Sequence, residues 1–428
     1  AGNGSMSIVA VDVNGDNTLD LATADFAGDT VSVLIGNSNG SFNTAVSYAT
    51  GSTDSIAISF GDFDGDGNVD LVNTNYTTSS FSVLLGNSDG TFKQGVTYAS
   101  GGNPRFVQTT DLDRDGNLDV VVVSDVGDAA HIYFGNGDGS FKSQITYPVG
   151  NGNRGVRIAD LDGDGVLDLA VASYSDQRVN ILIGNADGSF KTAVSYIAGN
   201  TPISLTIDDF DGDGDFDIAV VERNQDAMLV LLGNGDGTFG TAASYAAGAS
   251  PRLIISEDVN GDGAIDLITA DNTNGTSSVF LGNRDGTFKQ RVELDTEAGT
   301  SSVTLGDFNQ DGALDIATAD RTADKVSVLL GNTQAVSTGA FVADLGLSAN
   351  SLVLGDFNGD GNTDIASADY TNNTVSLAFG NGDGTFAGKV SVYTGDDPRS
   401  IKAHDIDSDG DLDLITSSMG SNDVNVLI

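Results

Sequence analysis

The sequence predicts an all-β fold assembled from nine copies of one repeat of about 49 residues. Three observations predict it: an acidic nonapeptide recurs nine times, short segments of alternating apolar and polar residues flank it, and Asn-Gly or Asp-Gly turns follow at a fixed distance. The first two nonapeptides start 50 residues apart, and each of the next seven steps is 49 residues. Such a constant period is typical of repeat proteins, in which each copy is one supersecondary unit.

Each repeat is expected to contain four short antiparallel strands, and the second repeat shows their order. Its first strand alternates apolar and polar side chains over 55–60, and the acidic nonapeptide follows at 62–70. The later strands are expected in the segments VDLVNTN, FSVLLGN and FKQGVTYA. The turn before the last strand supplies the positive φ that tight hairpins need. In the seventh repeat a longer loop at 332–341 replaces this turn and predicts a shorter fourth strand.

Four-stranded units that follow one another without helices are the sequence signature of propeller blades. We therefore predict a nine-bladed β-propeller with the acidic loop between the first and second strands of each blade. The ninth repeat reaches Ile428 at the end of its third strand, so its blade is expected to lack the outer strand. Two alternatives remain: an eight-bladed propeller with a partial repeat, and a linear β-solenoid, which usually has shorter repeats.

The repeats are expected to form one propeller domain over residues 1–428. Their approximate boundaries are 5–53, 54–102, 103–151, 152–200, 201–249, 250–298, 299–347, 348–396 and 397–428.

Composition restricts the partners of this chain. It has 61 acidic and 18 basic residues, a formal net charge of -43, and only four glutamates among the acidic residues. Nucleic acids and anionic membranes are bound through lysine and arginine, so neither is expected as a partner. No run of 18 apolar residues predicts a membrane span. The sequence begins Ala-Gly-Asn, as processing would leave it, so the lack of a signal peptide does not argue against export.

The acidic nonapeptide has the spacing of a metal-binding loop. In the second repeat, Asp62, Asp64, Asp66 and Asp70 occupy positions 1, 3, 5 and 9, and glycine at position 6 permits a sharp turn. A calcium ion takes six to eight oxygen ligands at about 2.3–2.6 Å, which alternate carboxylates on one side of a tight turn can supply. Position 7 varies between repeats, as expected if only its backbone carbonyl is used. Magnesium, and Asx turns without metal, are the alternatives.

The loop differs from an EF-hand, because position 12 is not glutamate and the following segment is a strand. The predicted ligands at positions 1, 3, 5, 7 and 9 are, repeat by repeat, Asp12, Asn14, Asp16, Thr18, Asp20; Asp62, Asp64, Asp66, Asn68, Asp70; Asp111, Asp113, Asp115, Asn117, Asp119; Asp160, Asp162, Asp164, Val166, Asp168; Asp209, Asp211, Asp213, Asp215, Asp217; Asp258, Asn260, Asp262, Ala264, Asp266; Asp307, Asn309, Asp311, Ala313, Asp315; Asp356, Asn358, Asp360, Asn362, Asp364; and Asp405, Asp407, Asp409, Asp411, Asp413.

With these nonapeptides the chain resembles the FG-GAP or VCBS-type repeats of bacterial surface proteins, and is similar to the calcium-bearing blades of integrin α-subunit propellers. The resemblance covers essentially the whole chain. It implies a propeller with one structural Ca²⁺ per hairpin, about nine in all, that is used mostly in adhesion or ligand recognition. Asn17 stands at position 6 of the first loop, where the other loops have glycine, so that site is expected to be looser.

We expect a non-enzymatic binding module located outside the cell or at its surface, in a bacterium. Extracellular modules bind calcium at about 10⁻⁴–10⁻³ M, which requires a calcium-rich compartment. The two histidines, His131 and His404, stand at different repeat positions and are expected to be lone core or rim residues rather than catalytic bases. The expected partner is a surface protein or a glycan. The alternatives are a structural subunit that joins copies of itself by strand addition, and a polysaccharide-active enzyme.

Two further residue types recur at equivalent repeat positions. Six residues before the loop stand Arg105, Arg154, Arg252 and Arg399. We expect them to pair with neighbouring aspartates, with bidentate binding of an anionic group as the functional alternative. Tyrosines recur on the fourth strand and are interpreted as blade-packing residues, with sugar stacking as the alternative: Tyr48, Tyr98, Tyr147, Tyr196, Tyr245 and Tyr393.

Overall fold

The structure, a computed structural model, describes the chain apart from residues 1–4, 17, 38–41, 274, 297–299, 312, 321–324, 332–339, 344–348, 407–409 and 422. The described residues form an all-β propeller fold of nine blades. Eight blades have four antiparallel strands paired in chain order, and the ninth has three. The nine-bladed prediction is therefore confirmed. No helix that could span a membrane occurs in the described part of the chain.

The first two strands of each blade flank the acidic loop. The first strands are β1 (Ser5–Val11), β5 (Ser55–Gly61), β9 (Pro104–Thr110), β13 (Asn153–Ala159), β17 (Pro202–Asp208), β21 (Pro251–Glu257), β25 (Thr300–Gly306), β29 (Ala349–Gly355) and β33 (Pro398–His404). The second strands are β2 (Asp20–Asp25), β6 (Asp70–Asn75), β10 (Asp119–Ser124), β14 (Asp168–Ser173), β18 (Asp217–Glu222), β22 (Asp266–Asp271), β26 (Asp315–Asp320), β30 (Asp364–Asp369) and β34 (Asp413–Ser418).

The remaining strands complete each blade. The third strands are β3 (Thr30–Leu34), β7 (Ser80–Leu84), β11 (Ala129–Tyr133), β15 (Arg178–Leu182), β19 (Ala227–Leu231), β23 (Thr276–Phe280), β27 (Lys325–Leu329), β31 (Thr374–Ala378) and β35 (Asp423–Leu427). The fourth strands are β4 (Val46–Ala49), β8 (Val96–Ala99), β12 (Ile145–Pro148), β16 (Val194–Ile197), β20 (Ala243–Ala246), β24 (Val292–Asp295), β28 (Ala340–Ala343) and β32 (Val390–Tyr393). The prediction of a shorter fourth strand in the seventh blade is wrong, because β28 has four residues, the same length as the other fourth strands.

Burial changes across each blade in a regular way. In the eight second strands whose side chains are all described, every residue is buried. These strands carry small and β-branched residues on both faces, as in VVVV of β10, which suits a strand covered on both sides. The fourth strands are mostly exposed, since they form the edges of their sheets.

The chain divides into two compact units. The first contains 1–152, 185–190 and 394–428, and the second contains 153–184 and 191–393. In the first unit, Leu21 and Leu34 of the first blade pack with Ile406 and Ile415 of the ninth.

In the second unit, apolar clusters join each blade to the next, from the fourth blade to the eighth. Burial of apolar side chains between neighbouring sheets therefore holds consecutive repeats together.

The last residue of each second strand is polar and is buried inside the blade. In the sixth blade, Asp271 is fully buried and accepts hydrogen bonds from Thr269 Oγ1 at 2.8 Å and Ser278 Oγ at 2.5 Å. Burial raises the pKa of Asp271 to about 6. The equivalent residues are Asp25, Asn75, Ser124, Ser173, Glu222, Asp320, Asp369 and Ser418. The sequence reasoning did not single out this position, because it lies outside the loop motif.

Candidate metal centres

The nine acidic loops lie where the sequence places them, between the first and second strands of each blade. The aspartate at position 9 is the first residue of the second strand in every blade. The loop of the fifth blade, from Asp209 to Asp217, illustrates the geometry. Asp209 accepts hydrogen bonds from the backbone N–H groups of Gly212 at 2.7 Å and Gly214 at 3.0 Å. Position 1 therefore fixes the turn around which the other carboxylates are arranged.

Two positions of the loop adopt positive φ, and the sequence predicted one of them. Gly214 at position 6 has φ 95°, as its role in a sharp turn requires. Position 4 is left-handed as well, with φ 77° at Gly212. Arg114 and Gln310, which occupy position 4 in the third and seventh loops, adopt the same conformation with φ 58° each. The strain of a non-glycine residue in this region shows that the loop conformation is imposed by its hydrogen bonds.

Position 5 orders the second half of the loop. In the fifth blade, Asp213 Oδ1 accepts the backbone N–H of Asp215 at 2.9 Å, an Asx turn from position 5 to position 7. The same bond, at 2.7–2.9 Å, is made in the first eight loops. The side chains of Val166, Ala264 and Ala313 at position 7 are buried and apolar, so they can contribute only a backbone carbonyl to a metal.

Position 9 has a structural role that the sequence did not reveal. Asp217 is 1% exposed; its Oδ2 accepts the N–H of Phe210 at 2.8 Å and its Oδ1 the N–H of Gly233 at 2.7 Å. The same pair of bonds occurs in the first eight loops. Position 9 thus ties the loop to the glycine after the third strand. Burial raises the pKa of Asp217 to about 6.

The glycine that follows the third strand is required by packing. A Cβ at Gly233 would lie 2.4 Å from the carbonyl oxygen of Phe216, closer than real Cβ atoms approach backbone. The sequence signal for this contact is the recurring Gly-Asn pair before the hairpin turn. The sequence predicts this glycine only as part of the third-strand segment, FSVLLGN in the second repeat, and gives it no packing role.

Among the described residues, carboxylate oxygens converge in four of the loops. In each, three aspartates offer oxygens that all lie within 4.8 Å of one another. The groups are Asp62, Asp64 and Asp66; Asp111, Asp113 and Asp115; Asp160, Asp162 and Asp168; and Asp209, Asp211 and Asp217. Like charges at this separation repel one another, and a cation among them removes the repulsion.

The loops with asparagine at position 3 are arranged differently. There the asparagine Nδ2 donates to the position-5 carboxylate at 3.0–3.2 Å, as Asn260 does to Asp262. In the ninth loop, Asp407 and Asp409 lie outside the described residues.

Unsatisfied oxygens provide a test of whether these residues fit a metal ion. Oδ1 of Asp64, Asp111, Asp160 and Asp405 is buried and accepts no hydrogen bond from any residue that the structure describes. For Asp111 and Asp160, the other oxygen is engaged by the N–H at position 6, so only Oδ1 is left over. A buried carboxylate oxygen without a donor is costly unless a cation binds it. The donor set, all hard oxygens, is the one that calcium and magnesium prefer.

Lysines provide part of the compensating charge in three loops. Lys93 lies 3.6 Å from Asp64, Lys142 lies 3.3 Å from Asp113, and Lys191 lies 3.8 Å from Asp162. Each lysine follows the phenylalanine of the hairpin turn, at the same repeat position. These lysines are about half exposed, so solvent screens the pairs and they contribute little to stability.

Comparison with known families identifies the repeat. The model of the FG-GAP-like repeat matches six overlapping or separate segments: 12–73, 62–122, 111–171, 160–220, 258–318 and 356–416. Together they span more than half of the chain and contain all nine acidic loops. The chain belongs to the FG-GAP-like repeat family. No curated protein sequence matches it significantly.

Three solved structures that are similar to this FG-GAP-like repeat protein have sequence identities below 20%. A lectin of Agrocybe aegerita, solved for its recognition of non-reducing terminal N-acetylglucosamine, is 19% identical, with a TM-score of 0.46 and coverage of 90% of this chain and 93% of the lectin. A functionally unknown protein of Desulfotomaculum acetoxidans is 15% identical, with a TM-score of 0.45 and coverage of 74% and 95%. A protein of Lactobacillus plantarum is 13% identical, with a TM-score of 0.47 and coverage of 70% and 86%. These similarities carry no argument about a ligand.

The two histidines of this FG-GAP-like repeat protein differ in position: His131 lies within a third strand, whereas His404 directly precedes Asp405, the first residue of the ninth acidic loop. His131 is the third residue of β11, 5% exposed, and burial lowers its pKa to about 4. Its Nδ1 contacts Gln144 and lies 3.3 Å from Thr146 Oγ1. His404 is the exposed last residue of β33. His131 is therefore a core histidine, as the sequence predicted.

The arginines before the FG-GAP loops fall into two kinds. Arg105 pairs with Asp125, Nε to Oδ2 at 2.9 Å, and packs over the ring of Tyr76. Arg399 donates from Nη2 to Asp397 Oδ2 at 3.2 Å. These two confirm the expected pairing with aspartate. Arg154 and Arg252 line a cavity in the second unit, described below, and each also has a contact within the chain.

The fourth-strand tyrosines pack between neighbouring FG-GAP repeats. Tyr196 lies edge-on to Phe239 with ring centroids 5.6 Å apart, and its hydroxyl accepts the N–H of Phe239 at 3.0 Å. Tyr147 makes the same two contacts with Phe190. Tyr393 is the exception, since 65% of it is exposed. The blade-packing interpretation is therefore confirmed for Tyr147 and Tyr196. It is also confirmed for Tyr48, Tyr98 and Tyr245, which lie edge-on to Phe92, Phe141 and Phe288.

Proposed function

We propose that this chain is a calcium-stabilised propeller that works outside the cell as a recognition module and not as an enzyme. The observation that carries the proposal is the set of buried, unsatisfied carboxylate oxygens at positions 1 and 3 of the acidic loops. Each of four loops has one such oxygen, and a hard divalent cation bound there would satisfy it while offsetting the charge of the adjacent carboxylates. The assignment of calcium to every predicted ligand position stays a prediction.

Each odd-numbered position of the loop would contribute its own ligand to the ion. Positions 1 and 3 would present carboxylate or amide oxygens, position 5 a carboxylate held by its Asx turn, and position 7 a backbone carbonyl. Position 9 would add a carboxylate while continuing to hold the loop against the end of the third strand. When bound, calcium supplies the positive charge that offsets carboxylate repulsion. Each ion would therefore fix the connection between two strands of a blade.

A recognition function is supported by the equivalence of the loops. An active site needs a group of different side chains at one place, whereas the acidic groups here recur blade after blade in the same structural role. His131 is buried in a blade and has a lowered pKa, which suits packing and not proton transfer at neutral pH. Loops of this kind bind calcium at about 10⁻⁴–10⁻³ M in extracellular modules, which supports a location outside the cell.

Thermal unfolding with and without calcium tests the proposal. We expect EDTA-treated protein to melt at a lower temperature and calcium to restore it, with magnesium at the same concentration less effective. A site held tenfold above its dissociation constant adds about 1.4 kcal/mol, so several sites together produce a large shift. Native mass spectrometry then counts the ions and the subunits.

Two results would contradict the proposal. A melting temperature that is the same in calcium and in EDTA would refute the proposal that calcium bound to the loops stabilises the fold. Ordered polymers in place of a discrete species would favour the alternative of a structural subunit.

A further inference from the structure

A basic cavity of about 370 Å³ lies at the far end of three blades from their acidic loops. It is lined by Arg154, Tyr174, Ile203, Arg223 and Arg252, all in the second unit. Arg154, Ile203 and Arg252 are the second residues of β13, β17 and β21, which are adjacent first strands. The acidic loop follows the other end of each strand, so at about 3.3 Å per residue the cavity is roughly 20 Å from it.

Three arginines at one cavity contrast with the rest of this chain. Acidic residues outnumber basic ones by 61 to 18, yet three of the eleven arginines meet here. In the third blade, the arginine at this strand position is neutralised by Asp125, which directly follows the second strand. The residues equivalent to Asp125 in the fourth, fifth and sixth blades are Tyr174, Arg223 and Asn272. The carboxylate that pairs with Arg105 is therefore replaced at each blade that borders the cavity.

Arg223 is the arginine best placed to bind a ligand. It is half-buried, and its Nε donates to Ser250 Oγ at 3.2 Å, which orients the guanidinium. Its two terminal amino groups donate to no oxygen of the residues that the structure describes. A guanidinium fixed at Nε presents these groups as a fork, the geometry that binds a carboxylate or sulfate through two parallel hydrogen bonds.

The cavity also has apolar walls. Arg154 packs over the ring of Tyr174 at 5.9 Å, and Ile203 lies between the two strands that carry the arginines. A volume of about 370 Å³ is at the small end of ligand sites, which suits one or two sugar rings. The strongly negative remainder of the chain repels an acidic polymer, so a ligand with few charges is favoured.

We infer that this cavity binds a saccharide unit that carries a carboxylate or a sulfate group. The oxyanion accepts hydrogen bonds from Arg223 and its neighbours Arg154 and Arg252, and the sugar ring lies against Tyr174 and Ile203. This inference deepens the proposed recognition function, on which it rests, and it assigns that function to the fourth to sixth blades. The sequence alone does not give the site, because Arg223 stands at a different repeat position from the other two arginines.

Calorimetric titration of the calcium-loaded protein tests the inference. The probes are glucuronate, glucose 6-sulfate, glucose and inorganic sulfate, each corrected by titration into calcium buffer alone. We expect both acidic sugars to bind, and glucose to bind at least tenfold more weakly because the charged hydrogen bonds are lost. Arg223→Gln is expected to weaken both acidic sugars at least tenfold. Arg105→Gln is the matched control and is expected to leave the affinity unchanged, since Arg105 does not line the cavity.

The other results separate a failure of this inference from a failure of calcium stabilisation. Failure of both acidic sugars to bind, or equal binding to the Arg223→Gln variant with an unchanged melting temperature, removes the site. If inorganic sulfate binds as tightly as glucose 6-sulfate, the cavity binds the anion alone, and the inference that it recognises a saccharide is refuted. Sugar binding without any effect of calcium on the melting temperature retains the cavity and refutes calcium stabilisation. A calcium effect without sugar binding does the reverse.

Discussion

The two roles of the loop carboxylates can be separated within the fifth blade by replacing one aspartate at a time with asparagine. Asp217 at position 9 satisfies two backbone N–H groups, whereas Asp211 at position 3 accepts one long bond, from Asp213 N–H at 3.1 Å. Burial first, and then the carboxylates of Asp213 and Asp209, raise the pKa of Asp211, so its charge is unfavourable without metal. Both substitutions remove one negative charge from the predicted metal site, but only Asp217→Asn removes a structural anchor.

The expected costs follow from these contacts. Asp217→Asn leaves one buried N–H facing an amide donor, which costs about 2–4 kcal/mol for a charge-assisted bond lost in the interior. This cost is present in EDTA and in calcium. Asp211→Asn is expected to leave the free energy of unfolding in EDTA unchanged or slightly higher, because it removes repulsion. In calcium it weakens one site, because a neutral amide oxygen replaces a carboxylate, and so loses at most the contribution of that site, about 1.4 kcal/mol at tenfold saturation.

Urea denaturation followed by circular dichroism, with each variant measured in EDTA and in calcium, makes the comparison. We expect calcium to change the destabilisation caused by Asp211→Asn much more than it changes the destabilisation caused by Asp217→Asn. Equal destabilisation by the two variants in EDTA would refute the structural role of position 9. Equal effects of Asp211→Asn in both buffers would refute binding of a metal ion by the Asp211 carboxylate.

Two further predictions concern the contacts around the loops and inside the blades. Gly233→Ala is expected to destabilise the protein by about 1–3 kcal/mol in urea denaturation, because its Cβ would meet the Phe216 carbonyl. The exposed Gly212→Ala is its control, with nothing within 4 Å, and should cost about 1 kcal/mol from its left-handed backbone; equal costs would contradict the packing argument. Asp271, with a folded pKa of about 6 and an ordinary value of 3.8, favours the protonated form in the folded state, so its contribution to stability falls as pH rises from 4 to 6. The stability of the wild type relative to Asp271→Asn should therefore decrease by at most about 3 kcal/mol from pH 4 to 7, and a difference that does not vary with pH would contradict the buried carboxyl.

The sequence by itself determined the period, the number of blades and the strand order. These properties follow from local patterns: alternation in Ser55–Gly61, turn residues at a fixed spacing, and nine acidic nonapeptides. The candidate ligand positions could also be predicted from the sequence, because a nonapeptide loop brings its own carboxylates together without contacts from distant residues. The glycine at position 6 was predicted for the same reason.

Tertiary structure decided the features that depend on residues far apart in the chain. The second role of Asp217 depends on Gly233, which is 16 residues away and reaches it only when the third strand pairs beside the second. The same applies to the basic cavity, where Arg154, Arg223 and Arg252 come from three repeats. Packing of adjacent first strands brings two of them to one place, and the end of a second strand adds the third. The spacing of residues within a single repeat does not predict that these arginines lie close together, since their proximity arises from contacts between blades.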